Sequence, residues 1–124
     1  MKPICLICAR GGSKGVRNKN TRIIHKKPLI AHTIEKAVNS NIFSHVVVST
    51  EDEKIAKISK QYGAEIPFIR PKKLSGDLTP IGDVFVHAIK KLETLGYEFD
   101  MFVNLDCTVP FIDKKDIFFC FFIK

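Results

Sequence analysis

Ile4-Cys5-Leu6-Ile7-Cys8-Ala9, followed at once by Arg10-Gly11-Gly12-Ser13-Lys14-Gly15, is the stretch from which the rest of the chain is read. An unbroken apolar run ended by glycines is the pattern of a strand buried on both faces, which belongs to a parallel sheet covered by helices. The pattern downstream agrees. Pro28 opens a helix with Ile30, Ile34, Ala37 and Val38 inward, and Val46-Val47-Val48 is a second β-branched strand. Thr50 with Glu53 reads as a capping box for a helix with Ile55, Ile58 and Tyr62 inward, closed by Gly63. Residues 65–69 give a short third strand. Pro80 begins a third helix with Val84, Ala88, Leu92 and Leu95 inward, ended by Gly96. Met101 to Leu105 form a fourth strand. This alternation predicts an α/β fold: an open, mostly parallel, Rossmann-like sheet with helices on both faces. Ligands of such sheets bind beyond the carboxyl ends of the strands. Residues 10–20 and 106–108 both fall there.

The chain has 124 residues, enough for one domain over 1–124 and too few for two ordinary ones. Its 45% hydrophobic content argues against disorder. The longest apolar run, 117–123, has seven residues, against about 20 for a membrane helix. The basic cluster after residue 9 does not resemble a secretory cleavage site. No membrane partner and a cytoplasmic location are therefore expected.

Lys and Arg number 20 against 13 Asp and Glu, a net +7. Residues 1–34 hold eight cations (Lys2, Arg10, Lys14, Arg17, Lys19, Arg22, Lys26, Lys27) and no acid, while the remaining 90 residues carry a net −1. A charge run of this kind is either a solvated face or a pocket for a compact polyanion such as a triphosphate. Nucleic acid is disfavoured, because the segment has no aromatic residue to stack on bases. The glycine-rich stretch matches neither the P-loop nor the dinucleotide fingerprint. It still has the parts of a phosphate cradle. Gly11, Gly12 and Gly15 let main-chain amides approach an anion, and Ser13 donates a hydroxyl. Arg10, Lys14 and Lys19 can offset charge on a leaving pyrophosphate.

Cys5 and Cys8 should face opposite sides of a strand, so with Cys107 and Cys120 they read as small apolar residues of a reducing compartment, not a metal site. His25, His32, His45 and His87 show no ligand spacing and read as structural or surface residues. Four of the ten Phe fall in the last seven residues. Residues 117–124 read as a buried strand, a sticky interface or a non-native tail, and of these the favoured expectation is truncation or alteration of the chain at its carboxyl end.

Ala9-Arg10-Gly11-Gly12-Ser13-Lys14-Gly15, Lys19-Asn20, Lys27-Pro28-Leu29-Ile30 and Thr33-Ile34 resemble the amino-terminal half of the acylneuraminate cytidylyltransferases, the CMP-sialic acid synthetase family. Val48-Ser49-Thr50-Glu51-Asp52, Arg70-Pro71 with Leu74 and Asp77, and Asn104-Leu105-Asp106-Cys107-Thr108-Val109-Pro110 follow in that family's order. The resemblance covers about residues 3–116. It implies a fold of the nucleotide-diphospho-sugar transferase type, and transfer of CMP from CTP to the anomeric hydroxyl of a nonulosonic acid, with magnesium. Carried over, Arg10, Lys14 and Lys19 would be catalytic and, with Gly11, Gly12 and Ser13, would hold the triphosphate. Asn20 would contact the nucleotide's sugar or phosphate. Arg70, Asp77 and Thr79 would border the cytosine, Thr108 would lie beside the reacting phosphate, and Asp106 would hold magnesium.

The chain departs from the family at Cys8, where proline is usual, and at Val109-Pro110-Phe111-Ile112, where Ser-Pro-Leu-Arg is common. The family's later portion carries further magnesium carboxylates, the sugar-acid pocket and a dimerisation element, so a homodimer is expected only of a full-length chain. The alternatives are a 3-deoxy-manno-octulosonate cytidylyltransferase and a non-catalytic nucleotide-binding fragment.

Overall fold

In chain order the elements are β1 (Ile4–Cys8), a hairpin of β2 (Ile23–Ile24) and β3 (Lys27–Pro28), α1 (Leu29–Asn39), β4 (His45–Ser49), α2 (Glu53–Gln61), α3 (Ile81–Thr94), β5 (Met101–Leu105) and β6 (Phe121–Phe122). A computed structural model describes residues 3–9, 23–24, 26–76, 78–99, 101–105 and 121–122. The main sheet has the order β4-β1-β5-β6. β1 runs parallel to both neighbours, with Leu6 opposite Val47 on one side and Asn104 on the other. β6 pairs antiparallel with β5, Phe102 opposite Phe121. Phe121 and Phe122 fall within the 117–124 segment; the rest of that segment lies outside the described residues.

Strand periodicity divides the core in two. Cys5, Ile7, Val46, Val48, Val103 and Leu105 point to one side, where Ile30, Ile34 and Ala37 of α1 and Ile55 of α2 meet them. Ile4, Leu6, Val47 and Phe102 point to the other, against Phe85, Ala88 and Leu92 of α3. β1 is thus covered on both faces, which is why its sequence shows no polar alternation. Ile4, Leu6 and Ile7 are at most 1% exposed, each worth about 1.5–3 kcal/mol of apolar burial. Cys5 is buried with the first layer and Cys8 packs against the second, on opposite faces as the spacing requires. Chain order against strand order, with α1 and α2 on one face and α3 on the other, is what right-handed crossovers produce.

Pro28 and Pro80 stand one residue ahead of α1 and α3, at their caps, where a missing N–H costs nothing. α2 and α3 end before Gly63 and Gly96, whose φ values of 101° and 92° suit glycine at the residue after the helix. α1 instead ends at Ser40, whose hydroxyl donates to the Ala37 carbonyl at 2.7 Å. Asn41 then takes a φ of 58°, which Asn tolerates better than most residues.

Four expectations need correction. Asp52, not Thr50, caps α2: its Oδ1 accepts from Lys54 N at 2.8 Å and Ile55 N at 3.1 Å. Thr50 is buried and its Oγ1 accepts from Asp52 N at 3.1 Å, one step upstream. The strand expected over 65–69 shrinks to a single bridge, Glu65 to Val47, because Pro67 has no N–H for a longer ladder. Val38 and Leu95, assigned inward, are 39% and 52% exposed. The β2–β3 hairpin carries no turn signal that the sequence reading recognised; Lys26 adopts a φ of 70° within it.

Candidate functional site

The strand order reverses beside β1: the chain passes from β1 through α1 to β4 on one side, and later returns through α3 to β5 on the other. The carboxyl ends of β1 and β5 therefore flank the switch point where open α/β sheets hold ligands. Residues 10–20 follow directly from β1, and 106–108 from β5. Arg10, Gly11, Gly12, Ser13, Lys14, Lys19, Asn20, Asp77, Asp106 and Thr108 lie outside the described residues. Arg70 and Thr79 lie within them.

Arg70 is only 2% exposed, which rules out a surface ion pair. Its backbone N–H donates to the Thr50 carbonyl at 2.9 Å, just past β4. Its Nη2 donates to the Ala9 carbonyl at 3.0 Å, just past β1. Ala9 N in turn donates to the Ser49 carbonyl at 3.0 Å. One residue, through its backbone at β4 and its side chain at β1, thus joins the exits of the two strands to the loop that begins at residue 70. Buried charge is costly without compensation, and the Glu51 carboxylate supplies some, its Oε1 4.0 Å from Nη2 with the side chain 14% exposed. Sequence reasoning gave Glu51 no role, although an acid at the carboxyl end of a parallel strand was the available signal.

The loop after Arg70 is ordered by its own hydrogen bonds. Pro71 leads into a single 3-10 turn, Lys72–Leu74, and the Ser75 hydroxyl donates back to the Pro71 carbonyl at 3.2 Å. Thr79 closes the loop: its N–H donates to the Gly76 carbonyl and its Oγ1 accepts from Gly76 N, both at 3.2 Å. The Thr79 hydroxyl keeps its own proton to donate.

His87 on α3 packs edge-on against Phe68, ring centroids 5.3 Å apart. Both ring nitrogens are buried and make no hydrogen bond among the described residues. Burial pushes its pKa down, and the Lys91, Arg70 and Lys73 charges add to the shift. Lys27 is drawn into structure, donating to Glu35 Oε1 at 2.7 Å, a bond that raises its pKa. At the opposite end of the sheet, His45 Nδ1 lies 2.7 Å from Glu65 Oε2, beside an open cavity of about 410 Å³ lined by Ser44, His45, Leu95, Gly96, Tyr97 and Glu98. That cavity is remote from the strand ends that carry the cationic segment. Among the described residues no group of three or more His, Cys, Asp or Glu could hold a metal ion. No helix among them is long and apolar enough to cross a membrane.

The mostly parallel sheet with helices on both faces is the α/β fold of nucleotidyltransferases of known structure. A solved structure of a CMP:2-keto-3-deoxy-manno-octonic acid synthetase complexed with CTP is similar to this chain with a TM-score of 0.77 and 26% identity, covering 94% of this chain and 44% of that one. The sequence model of the cytidylyltransferase family matches residues 4–119, and the chain belongs to that family. It is 42% identical over 114 residues to a pseudaminic acid cytidylyltransferase of Campylobacter jejuni, covering 92% of this chain and 49% of that protein. It is 38% identical over 116 residues to an N-acylneuraminate cytidylyltransferase of Escherichia coli, covering 94% of this chain and 26% of that protein. The chain spans about half the length of the first relative and about a quarter of the second.

Proposed function

We propose that this chain is a nucleotidyltransferase domain that takes CTP and transfers CMP to the anomeric hydroxyl of a nonulosonic acid. The observation that carries this reading is the pairing of β1 with β5, whose exits lead into the cationic glycine-rich segment and the Asp106–Thr108 segment at one switch point. Membership of the cytidylyltransferase family supports it, as do the names of the pseudaminic and N-acylneuraminate relatives.

In the proposed reaction the anomeric oxygen attacks the α-phosphorus, the bond to the β-phosphate oxygen breaks, pyrophosphate leaves and the hydroxyl proton is released. Such a displacement asks the protein mainly for alignment and charge neutralisation. Arg10, Lys14 and Lys19 neutralise the leaving pyrophosphate, while Gly11, Gly12 and Ser13 donate hydrogen bonds to the phosphates. Asn20 contacts the nucleotide's sugar or phosphate, and Thr108 stands beside the reacting phosphate. Arg70, Asp77 and Thr79 belong to the loop that borders the cytosine. Asp106, which follows the last residue of β5, offers the hard oxygen donor that magnesium prefers. When bound, magnesium withdraws charge from the triphosphate. The same reading takes the cytoplasm as the compartment, with neither nucleic acid nor membrane as a partner, and a homodimer as the assembly of a full-length chain.

Thermal melting with CTP and magnesium tests the pocket: CTP raises the melting temperature of the natural chain, and Lys14→Ala abolishes the rise. Equal response of the two proteins would overturn it. Release of pyrophosphate is then measured with pseudaminic acid, N-acetylneuraminic acid and 2-keto-3-deoxy-manno-octonic acid. The likeness to the octonic acid synthetase favours the last as the second reading. CTP binding with no release for any acid would identify a non-catalytic nucleotide-binding fragment.

A further inference from the structure

We infer that His87 is a positioning residue for the base end of the site: its uncharged ring backs the segment that carries Arg70 to the nucleotide, and protonating that ring displaces the segment. This rests on the proposed function above, in which Arg70 borders the cytosine.

The geometry is local. Between the Glu65 bridge and the Arg70 N–H, residues 66–69 make no backbone hydrogen bond among the described residues, so side-chain packing sets their course. Phe68 and Arg70 are buried while Ile69 between them is 51% exposed, so the two point inward from one extended segment. Phe68 joins the core layer that α3 covers, and the His87 ring meets it edge-on at 5.3 Å.

Neither His87 nitrogen finds a partner among the described residues, and both are shut off from solvent. While neutral, the ring therefore acts as an apolar surface. Once protonated, it carries a buried positive charge without an acceptor, which is costly. The charges acting on it are Lys91 from its own helix, Arg70 from the facing segment and Lys73 from the 3-10 turn, all positive. Repulsion is thus directed at Arg70, two residues beyond Phe68, and at the loop that follows. Phenylalanine would fill the same space with no such response. Histidine ties the base end to acidity.

Calorimetric titration with magnesium present, using CTP and inorganic pyrophosphate as separate ligands from pH 7.5 down to pH 5, tests this. Only CTP has a base, so the ratio of the two affinities reports the base end. In the natural chain CTP is expected to weaken relative to pyrophosphate by about fivefold or more as the pH drops below 6.5 and His87 takes up a proton. His87→Phe, which keeps a ring against Phe68 but cannot take a proton, is expected to show little of that fall. Titration of cytosine itself would affect both proteins alike. His87→Gln, also uncharged, guards against a folding defect in the first variant. A constant ratio in the natural chain overturns the inference, including the equal loss of both ligands that unfolding in acid would give. An equal fall in the natural chain and the variants overturns it too. A natural chain that binds neither ligand at pH 7.5 overturns the underlying function instead.

Discussion

Tyr97 donates its hydroxyl hydrogen to Glu65 Oε1 over 2.7 Å, tying the turn after α3 to the residue that extends the sheet beyond β4. The second oxygen of the same carboxylate lies 2.7 Å from His45 Nδ1, and the His45 and Tyr97 rings meet edge-on at 4.8 Å. Hydrogen bonds to carboxylates are among the stronger ones, and partial exposure reduces their net worth. Tyr97→Phe should therefore lower unfolding stability by about 1 kcal/mol in urea titrations at neutral pH.

The Tyr97 hydroxyl has its pKa pushed up to about 12, first by burial and then by the bond to Glu65 and that residue's charge. The unfolded value is near 10, so the folded state favours the protonated phenol. This contribution is complete below pH 10 and is lost as pH rises toward 12. Stability of the natural chain should fall more steeply over that interval than that of Tyr97→Phe. Parallel slopes in alkaline urea titrations would contradict the assignment.

His87 has the opposite sign. Its pKa is held below 6.5, so the folded state favours the neutral ring. The contribution is present above the unfolded value and lost as pH falls through 6.5 toward the lower folded value. His87→Leu should flatten the acid limb of the stability profile. Because neither ring nitrogen has a hydrogen bond among the described residues to lose, the same variant should match or exceed the natural chain at pH 7.5.

The cap of α2 gives a local test. Asp52→Ala leaves the Lys54 and Ile55 amides without their acceptor and should cost about 1 kcal/mol, measured by chemical denaturation.

On α1, Ile34 is fully buried against the sheet while Val38, one turn later, is 39% exposed. Ile34→Ala should cost about 2–5 kcal/mol by leaving a cavity. Val38→Ala should change stability by about 0.5 kcal/mol or less. Equal losses, read from melting curves, would mean that the helix sits in a different rotation.

The layered architecture was legible because burial leaves a direct mark on residue type. Ile4 through Ala9 could be read as covered on both faces, and Gly63 and Gly96 as helix ends, without any long-range information. Val38 and Leu95 misled because a helical period tells which side is apolar but not where the neighbouring layer stops. Thr50 and Asp52 are both competent caps, and the choice falls on Asp52 because its backbone is extended, at φ −97° and ψ 120°. Within the site, Arg70 was selected by its place in a motif, but its hold on Ala9 was not readable. A bond between residues 61 positions apart leaves no local pattern.

The bridge at Glu65 settles how one border of the sheet is finished. Glu65 N donates to the Val46 carbonyl at 2.8 Å and its carbonyl accepts from Val48 N at 3.1 Å, occupying the outward groups in the middle of β4. Two residues on, Pro67 offers nothing to donate, so a foreign strand arriving there finds no continuous row of groups to zip onto. The chain thereby guards this flank against fibrous self-association with one short contact and one imino acid.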